Sequence, residues 1–167
     1  IYQKENDKAA LSVMLNIATL YNLQKKYDSA TALFKNIYAT AKSNNDYAMM
    51  LNDQVNITLG LNYQQKFEEA LPLFEELLQN DRVKKIEDIF NAVQYGLGQS
   101  YMGTKQYAKA IPILKACLKM RFRNTKFQSL AAITHLLYTA EKEQKNYEQA
   151  LVYYEQLKVY NDSLLNI

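Results

Sequence analysis

The sequence predicts an all-α protein that repeats one pair of helices about four times. Its composition favours helices, because the 167 residues include only 4 Gly and 2 Pro while 49% are hydrophobic, a balance that disfavours a turn-rich β-sandwich. An alanine that follows an aromatic residue by three positions recurs every 40 residues, at Ala30, Ala70, Ala110 and Ala150. Apolar residues stand four and seven positions after each alanine, which is the spacing of one helix face.

Each predicted unit begins with a first helix, whose apolar residues recur at helical spacing about 13 positions before the alanine. The fourth unit departs from this pattern, since Glu141 stands where the other first helices carry Tyr21, Leu61 and Tyr101. The sequence predicts turns within the pairs at 23–26, 64–66, 103–106 and 144–146. It predicts polar linkers at 43–46, 80–82, 123–125 and 161–163, where Asp, Asn, Ser or Thr can cap the following helix.

We expect a single domain over residues 1–167, which is the usual length of one domain. Its units are predicted at approximately 7–44, 45–83, 84–123 and 124–160, with 161–167 as the start of a linker or capping helix. The small alanine lets the two helices of a pair approach closely, while the aromatic residue fills the turn between them. Pro72 and Pro112 follow the alanine by two positions and mark the beginning of second helices.

The third unit carries the clearest family pattern. It reads Leu97-Gly98-Gln99-Ser100-Tyr101 and, after five residues, Tyr107-Ala108-Lys109-Ala110, and this closely resembles the tetratricopeptide repeat family. The resemblance implies an α-solenoid, in which helix-turn-helix units form a right-handed superhelix with first helices on the concave side. The small-residue position of the family holds Ala18, Thr58 and Gly98 in the first three units, and Tyr138 departs from it. The 40-residue period exceeds the family's usual repeat length of about 34 residues. In this respect the chain resembles the family's longer-helix variants, which occur in bacterial regulators.

A second resemblance concerns the end of the chain. Residues 153–166, YYEQLKVYNDSLLN, are similar to the last repeat of Bacteroidetes-type sensor proteins. That resemblance implies a periplasmic repeat domain that leads into a linker helix, a membrane span and a histidine kinase or helix-turn-helix DNA-binding domain. Because the chain begins with Ile1 and ends in mid-pattern, we expect it to be a piece of a longer protein. The sequence leaves the compartment open. We expect a periplasmic domain if the chain is part of a membrane-anchored sensor, and a cytoplasmic one otherwise.

The family resemblance also places a candidate binding groove on the solvent-facing residues of the first helices. An Asn recurs at equivalent places, and an amide offers both a donor and an acceptor to an extended peptide backbone. The alternative interpretation is that Asn is merely abundant in this chain. The family's clamp for acidic peptide C-termini is matched only at Asn56, so clamp-type binding is not expected. The predicted groove comprises Leu15, Asn16, Thr19, Asn22, Asn52, Val55, Asn56, Leu59, Asn62, Tyr95, Gln99 and His135.

Several other functions find little support in the sequence. The net charge of +3 is too small to imply a phosphate-binding footprint, and no 18-residue apolar run predicts a membrane span. The single cysteine, Cys117, is expected in the core, and the only histidine, His135, lacks companions for a metal site. No phosphate loop, metal motif or nucleophile elbow occurs. Enzymatic activity is therefore not expected, and neither is a cofactor or metal.

The leading functional hypothesis is a non-enzymatic module that binds a peptide or protein segment, as the sensory or regulatory domain of a larger bacterial signalling or transcription-regulating protein. The alternative is a structural scaffold for self-association or intramolecular docking. A nucleic-acid-binding repeat is the third candidate, and it would bind in a strongly salt-dependent way. The sequence leaves the ligand and the oligomeric state open.

Overall fold

The computed structural model describes the backbone of residues 2–119 and 126–165, and the side chains of 9–119 and 129–164. Within these ranges the chain forms nine helices and no strand, which confirms the all-α prediction. The predicted linker at 123–125 lies outside the described residues. The helices are α1 (Tyr2–Leu23), α2 (Tyr27–Ser43), α3 (Tyr47–Tyr63), α4 (Phe67–Gln79), α5 (Asp81–Lys85), α6 (Glu87–Gly103), α7 (Tyr107–Cys117), α8 (Lys126–Glu143) and α9 (Tyr147–Leu165).

The long helices form four pairs, α1/α2, α3/α4, α6/α7 and α8/α9, as the repeat predicts. The chain divides into two compact units, residues 1–90 and 91–167, so that the first unit holds α1 to α5 and the second holds most of α6 with α7 to α9. The assignment of one domain to residues 1–167 and the right-handed superhelix stay predictions. In the described part of the chain, no helix is both long enough and apolar enough to cross a membrane.

The same turn geometry follows five of the described helices, namely α1, α2, α3, α6 and α8. In each, a residue in the left-handed region, with φ between 55° and 62°, follows the helix, at Lys25, Asn45, Gln65, Lys105 and Lys145. The next amide then donates to the carbonyl five residues earlier, as in the 2.8 Å bond from Lys26 N to Tyr21 O. This pattern is the Schellman motif, which satisfies carbonyls at the helix end and usually has Gly at the left-handed position. The same turn geometry therefore recurs although none of these five left-handed positions is Gly.

The repeated alanines are buried against their partner helices, as predicted. Ala30, Ala70 and Ala110 are 0% exposed and Ala150 is 4% exposed. In the first pair, Ala30 joins Leu11, Ala18, Phe34 and Ile37 in one buried cluster. A small side chain is needed here because the two helix backbones approach closely.

Gly98 and Tyr138 occupy the same repeat position and pack in different ways. A Cβ atom at Gly98 would lie 2.8 Å from Leu114 Cδ2, so a larger residue in the α6/α7 pair would force the Leu114 side chain to move. In the α8/α9 pair, the ring centroid of Tyr138 lies 5.8 Å from that of Tyr154, the equivalent of Leu114, and the two rings are tilted by 48°. Tyr154 is 53% exposed, whereas Leu114 is fully buried. The α8/α9 pair therefore packs differently from the α6/α7 pair, as the departure at Tyr138 predicts.

Two predicted polar linkers need correction. Asn80 does cap a helix, since its Oδ1 accepts from Arg82 N at 2.9 Å, but that helix is the short α5, which the sequence analysis did not predict. The linker predicted at 161–163 is wrong, because α9 continues through Asn161 and Ser163 to Leu165. The Ser163 hydroxyl donates to Val159 O at 2.9 Å and so does not interrupt the helix. The linker at 43–46 is confirmed, with Asp46 Oδ1 accepting from Met49 N.

Glu141, the polar departure in the fourth first helix, is buried and paired. Its Oε1 lies 3.0 Å from Lys115 Nζ, and its Oε2 accepts from Asn146 Nδ2 at 3.0 Å. The hydrogen bond to Glu141 raises the pKa of Lys115 above its usual range. The carboxylate thus ties α8 to α7 and to the turn before α9, because a buried charge is tolerated only when it is paired.

Asp53 is a buried acid without such a partner. It lies in α3 at the repeat position that holds Val93 and Ile133 in later first helices, and all three are 0% exposed. Neither carboxylate oxygen has a hydrogen-bond partner among the described residues. Burial, together with a smaller effect of the nearby Asp46 carboxylate, raises the pKa of Asp53 to about 7. Ionisation of Asp53 therefore opposes folding.

The Asp53→Val variant should remove a pH dependence of stability. The pKa of Asp53 in the folded chain lies above its unfolded value of 3.8. The native chain therefore loses stability as the pH rises from the unfolded pKa through the folded pKa. Between about pH 5 and about pH 8 the loss should be about 3 kcal/mol. Urea unfolding at both pH values should show this loss in the native chain and in the control Glu68→Gln, and a much smaller loss in Asp53→Val. An unchanged pH dependence in Asp53→Val would contradict the assignment.

Substituting Gly for Lys105 should stabilise the chain. Lys105 has φ 59°, where a side chain costs about 1 kcal/mol that Gly avoids. We expect thermal unfolding to shift upward by about 2–4 °C. The control Lys35→Gly, at an exposed site inside α2, should shift it downward because Gly weakens a helix interior. Equal downward shifts in both variants would rule out strain at Lys105.

Candidate functional site

A pocket of about 240 Å³ lies in the first unit, where the end of α1, the beginning of α2 and the last two turns of α3 converge. Four of its lining residues belong to the predicted groove, and four others come from the helix ends and the turn. The lining residues are Thr19, Asn22, Leu23, Lys25, Tyr27, Asn56, Leu59 and Tyr63. The pocket is therefore the part of the predicted groove where side chains converge on one space.

The α1/α2 turn places two of these residues at the pocket. Lys25 occupies the left-handed position that ends α1, and Tyr27 begins α2 two residues later. Tyr27 is also the aromatic residue of the repeat, so the same side chain fills the turn and faces the pocket. Tyr63 is the last residue of α3 and completes this side of the pocket.

Two amide side chains, those of Asn22 and Asn56, line the pocket. Asn56 Nδ2 donates to Asn52 Oδ1 at 3.0 Å, one turn earlier on α3, which leaves Asn56 Oδ1 as an acceptor. Asn22 Oδ1 is buried and has no hydrogen-bond partner among the described residues. An unsatisfied buried acceptor costs about 1–3 kcal/mol, so a ligand N–H that reached Asn22 would recover much of that cost.

The hydroxyl groups add neutral hydrogen-bonding positions. Burial raises the pKa of Tyr63 above its usual range, and the neighbouring Tyr27 raises it further, so the Tyr63 phenol stays protonated and can donate. Thr19 Oγ1 donates to Leu15 O at 2.9 Å and keeps its lone pairs as acceptors. Lys25 contributes a positive charge, and Leu23 and Leu59 contribute apolar surface. This arrangement suits a ligand that combines amide groups, an apolar side chain and a negative charge.

The remaining predicted residues of the first unit do not line the pocket. Leu15 is half-buried against the core cluster of the first pair, and Asn16 is exposed. Asn52 acts indirectly by orienting Asn56. The expectation of solvent-facing side chains is wrong for Val55 and Asn62, which are 2% and 5% exposed. Their faces of α3 pack into the protein, because the α3 helix contacts both α2 and α4.

Three predicted groove residues lie in the second unit. Tyr95 and Gln99 on α6 are half-buried, and Gln99 Oε1 has no hydrogen-bond partner in the described part of the chain. His135 on α8 is exposed, with its ring centroid 6.5 Å from that of Tyr138. None of the three lines the pocket in the first unit. Their role in binding stays a prediction.

The sequence analysis missed the pocket residues Leu23, Lys25, Tyr27 and Tyr63. It considered only the faces of first helices, whereas these residues lie at helix ends and in a turn. The aromatic repeat position of Tyr27 was a usable signal, because a residue that fills the turn also borders the groove beside it. Tyr63 has no equivalent signal, since the other units carry Leu23, Gly103 and Glu143 at that place.

A second pocket of about 280 Å³ lies between α3 and α4, lined by Gln54, Ile57, Thr58, Leu73, Glu76, Leu77 and Asn80. It contains none of the predicted groove residues. The Thr58 hydroxyl is already used, since it donates to Gln54 O at 2.8 Å. No buried polar side-chain atom among these described residues lacks a partner. The pocket beside Asn22 is therefore the better candidate site.

Comparisons with known proteins support the repeat assignment. The family model described as tetratricopeptide repeat matches residues 92–124. The crystal structure of the apo form of RapI is similar with a TM-score of 0.70 and 21% identity, covering 92% of this chain, and this chain spans 43% of the length of that one. This similarity concerns the fold alone. No match was found among curated proteins.

Two structures of a Podosopora anserina putative kinesin light chain with nearly identical TPR-like repeats are less similar. Their TM-scores are 0.44 and 0.43, their identities are 15% and 14%, and each covers more than nine tenths of both chains. Such scores are too low to bear on the fold. The family match and the similarity to RapI together assign this chain a TPR-type helical-repeat fold, with a tetratricopeptide repeat at residues 92–124.

Proposed function

We propose that this chain is a non-enzymatic module that binds an extended peptide segment of a partner protein, and that the pocket beside Asn22 anchors the segment. Repeats of this type typically mediate protein–protein interactions. The observation that carries the proposal is the buried, unpartnered Asn22 Oδ1 in a pocket that also presents Asn56 and two phenols. A peptide backbone supplies both the N–H that Asn22 lacks and carbonyls for donors.

The pocket chemistry also defines the side chains of the proposed ligand. An apolar side chain would leave water by entering between Leu23 and Leu59, which stabilises the complex by the hydrophobic effect. A neighbouring acidic side chain would meet Lys25, whose positive charge has no opposing carboxylate among the residues lining the pocket. The proposed ligand is therefore an extended segment with an apolar residue next to an acidic one.

We further propose that the module is the sensory or regulatory domain of a larger bacterial signalling or transcription-regulating protein. The similarity of residues 153–166 to the last repeat of Bacteroidetes-type sensors supports this context. Determining the gene sequence on both sides of the chain tests it. A downstream kinase or helix-turn-helix segment is expected, and a gene that encodes no further domain would contradict the proposal.

The Asn22→Ala/Asn56→Ala double variant should lose peptide binding while staying folded. Selection from a display library of random peptides on the native chain should enrich sequences with an acidic residue beside an apolar one. Fluorescence anisotropy with an enriched peptide should show at least a tenfold weaker binding to the double variant, because two hydrogen-bonding groups are removed at about 1 kcal/mol each. Its melting temperature should change little, since the Asn22 acceptor has no partner to lose and Asn56 loses only its part-buried hydrogen bond to Asn52.

The matched control is Asn16→Ala, which removes an exposed Asn one and a half turns earlier on the same helix. Asn16 is the repeat equivalent of Asn56 but does not line the pocket. Its affinity for the peptide should stay within about twofold of that of the native chain. Equal affinities for the double variant and the native chain, or a selection that enriches no peptide, would refute the proposed function.

A further inference from the structure

The pocket of about 280 Å³ between α3 and α4, called the α3/α4 pocket below, is separate from the pocket beside Asn22. Its residues on α4 follow the i, i+3, i+4, i+7 spacing of one helix face, at Leu73, Glu76, Leu77 and Asn80. Its residues on α3 are Gln54, Ile57 and Thr58. At about 100° per residue, these lie on the opposite side of α3 from Asn56, Leu59 and Tyr63, which line the pocket beside Asn22. The two pockets share no lining residue and can be occupied independently.

The space between α3 and α4 follows from Thr58. The third pair holds Gly98 at this repeat position, and a Cβ atom added there would lie 2.8 Å from Leu114 Cδ2 and 3.7 Å from Ile113 Cγ2. Because Thr58 carries a branched side chain at this place, the side chains of its second helix must stand further away. Leu73, the equivalent of Ile113, is 40% exposed, whereas Ile113 is half-buried. The second pair thus leaves a cavity where the third pair packs closely.

The inner wall of the α3/α4 pocket is largely apolar. Leu77 is buried, and Ile57 is half-buried against the core cluster of the first pair. Leu73 keeps much of its side chain in water although it lines the cavity. A ligand with an alkyl chain would cover this exposed surface, and the hydrophobic effect would favour its binding.

Glu76 gives the rim of the α3/α4 pocket a negative charge. The other second helices carry Asn36, Ala116 and Gln156 at this repeat position. In the described part of the chain, Glu76 has no ion-pair partner, and no Lys, Arg or His lines the pocket. The carboxylate would therefore repel an anionic ligand and would form a charge-assisted hydrogen bond with a cationic one.

Neutral oxygen atoms add further acceptors around this carboxylate. The Thr58 hydroxyl donates to Gln54 O at 2.8 Å, so its own oxygen keeps lone pairs as acceptors. Asn80 Oδ1 accepts from Arg82 N at 2.9 Å and has a second lone pair. A primary ammonium group carries three N–H donors and no acceptor. The rim of the pocket therefore matches a primary ammonium group.

We propose that the α3/α4 pocket binds a primary alkylammonium, with the alkyl chain against Ile57, Leu73 and Leu77 and the ammonium group at Glu76. Glu76 is the only carboxylate among the described residues that line the pocket, so one positive charge is matched. This site goes beyond the proposed peptide binding and does not depend on it. A free amine and the side chain of a lysine share this chemistry.

NMR titration of the backbone amides of the native chain with n-hexylammonium tests the proposal. Saturable shifts should concentrate at the lining residues of the α3/α4 pocket, at millimolar concentrations, as expected for a ligand of so few atoms. Hexanol has the same chain without the charge and should bind at least about fivefold more weakly. Hexanoate should cause no saturable shift there. Nα-acetyl-lysine methylamide is the second amine probe, and the tighter of the two amines assigns the site to a free amine or to a lysine side chain.

Two variants should lose the amine while staying folded. Glu76→Gln keeps the shape of the side chain and removes its charge, so n-hexylammonium should bind at least about fivefold more weakly. Leu73→Trp should abolish binding by filling the pocket, and the exposure of Leu73 allows this variant to fold. The matched control Glu69→Gln removes a carboxylate about two turns earlier on the same face of α4, outside the pocket. Its affinity should stay within about twofold of that of the native chain.

The proposal is overturned by equal affinities of the native chain for n-hexylammonium and hexanol, by equal affinities of Glu76→Gln and the native chain, or by the absence of saturable shifts with both amines. The peptide assay separates this site from the proposed function. Glu76→Gln and Leu73→Trp should bind the enriched peptide like the native chain, since neither residue lines the pocket beside Asn22. A native chain that binds the amine but no peptide would refute the proposed function and support this site.

Discussion

The structure depends on one constraint, which is that no helix of this chain can cover its apolar surface with its own pair alone. Phe34 and Ile37 are buried because α1 lies on one side and residues of α3, such as Ile57, reach the same cluster. Within each compact unit, the second helix of one pair therefore packs on the first helix of the next, as α2 does on α3 and α7 does on α8. The buried alanines allow the two helices of a pair to approach closely. The five Schellman turns connect helices through turns of nearly constant length.

The same constraint explains where polar groups are tolerated. Glu141 interrupts an apolar position and remains because Lys115 and Asn146 pair with it. Asp53 occupies the position equivalent to Val93, and its carboxylate has no such partner among the described residues. The first unit therefore carries an unfavourable group in its interior. Asn22 is comparable, since its buried oxygen lacks a partner, but it borders a pocket that a ligand can enter. The first unit thus carries unfavourable polar groups at two positions, and one of them borders the pocket that we propose to bind a peptide.

The sequence predicted the repeat well and the site only in part. The 40-residue period, the helix pairs and the turns after Leu23 and Tyr63 follow from side-chain spacing, which the backbone obeys directly. Spacing could not reveal α5, whose five residues are too few for a period, or the continuation of α9 through Asn161. Thr19, Asn22, Asn56 and Leu59 were predicted as solvent-facing residues of first helices, and these four line the pocket. Val55 and Asn62 were misplaced, since a helix between two neighbours has little exposed surface, and Lys25 was missed because its position depends on a left-handed turn.

The most direct test of this constraint is amide hydrogen exchange measured by NMR. In the first unit, amides of α1 should exchange faster than those of α2, which contacts both α1 and α3, because a helix with one face in water opens at lower free energy than one packed on both sides. In the second unit, amides of α9 should likewise exchange faster than those of α8, which contacts both α7 and α9. Equal protection of these four helices would contradict the account.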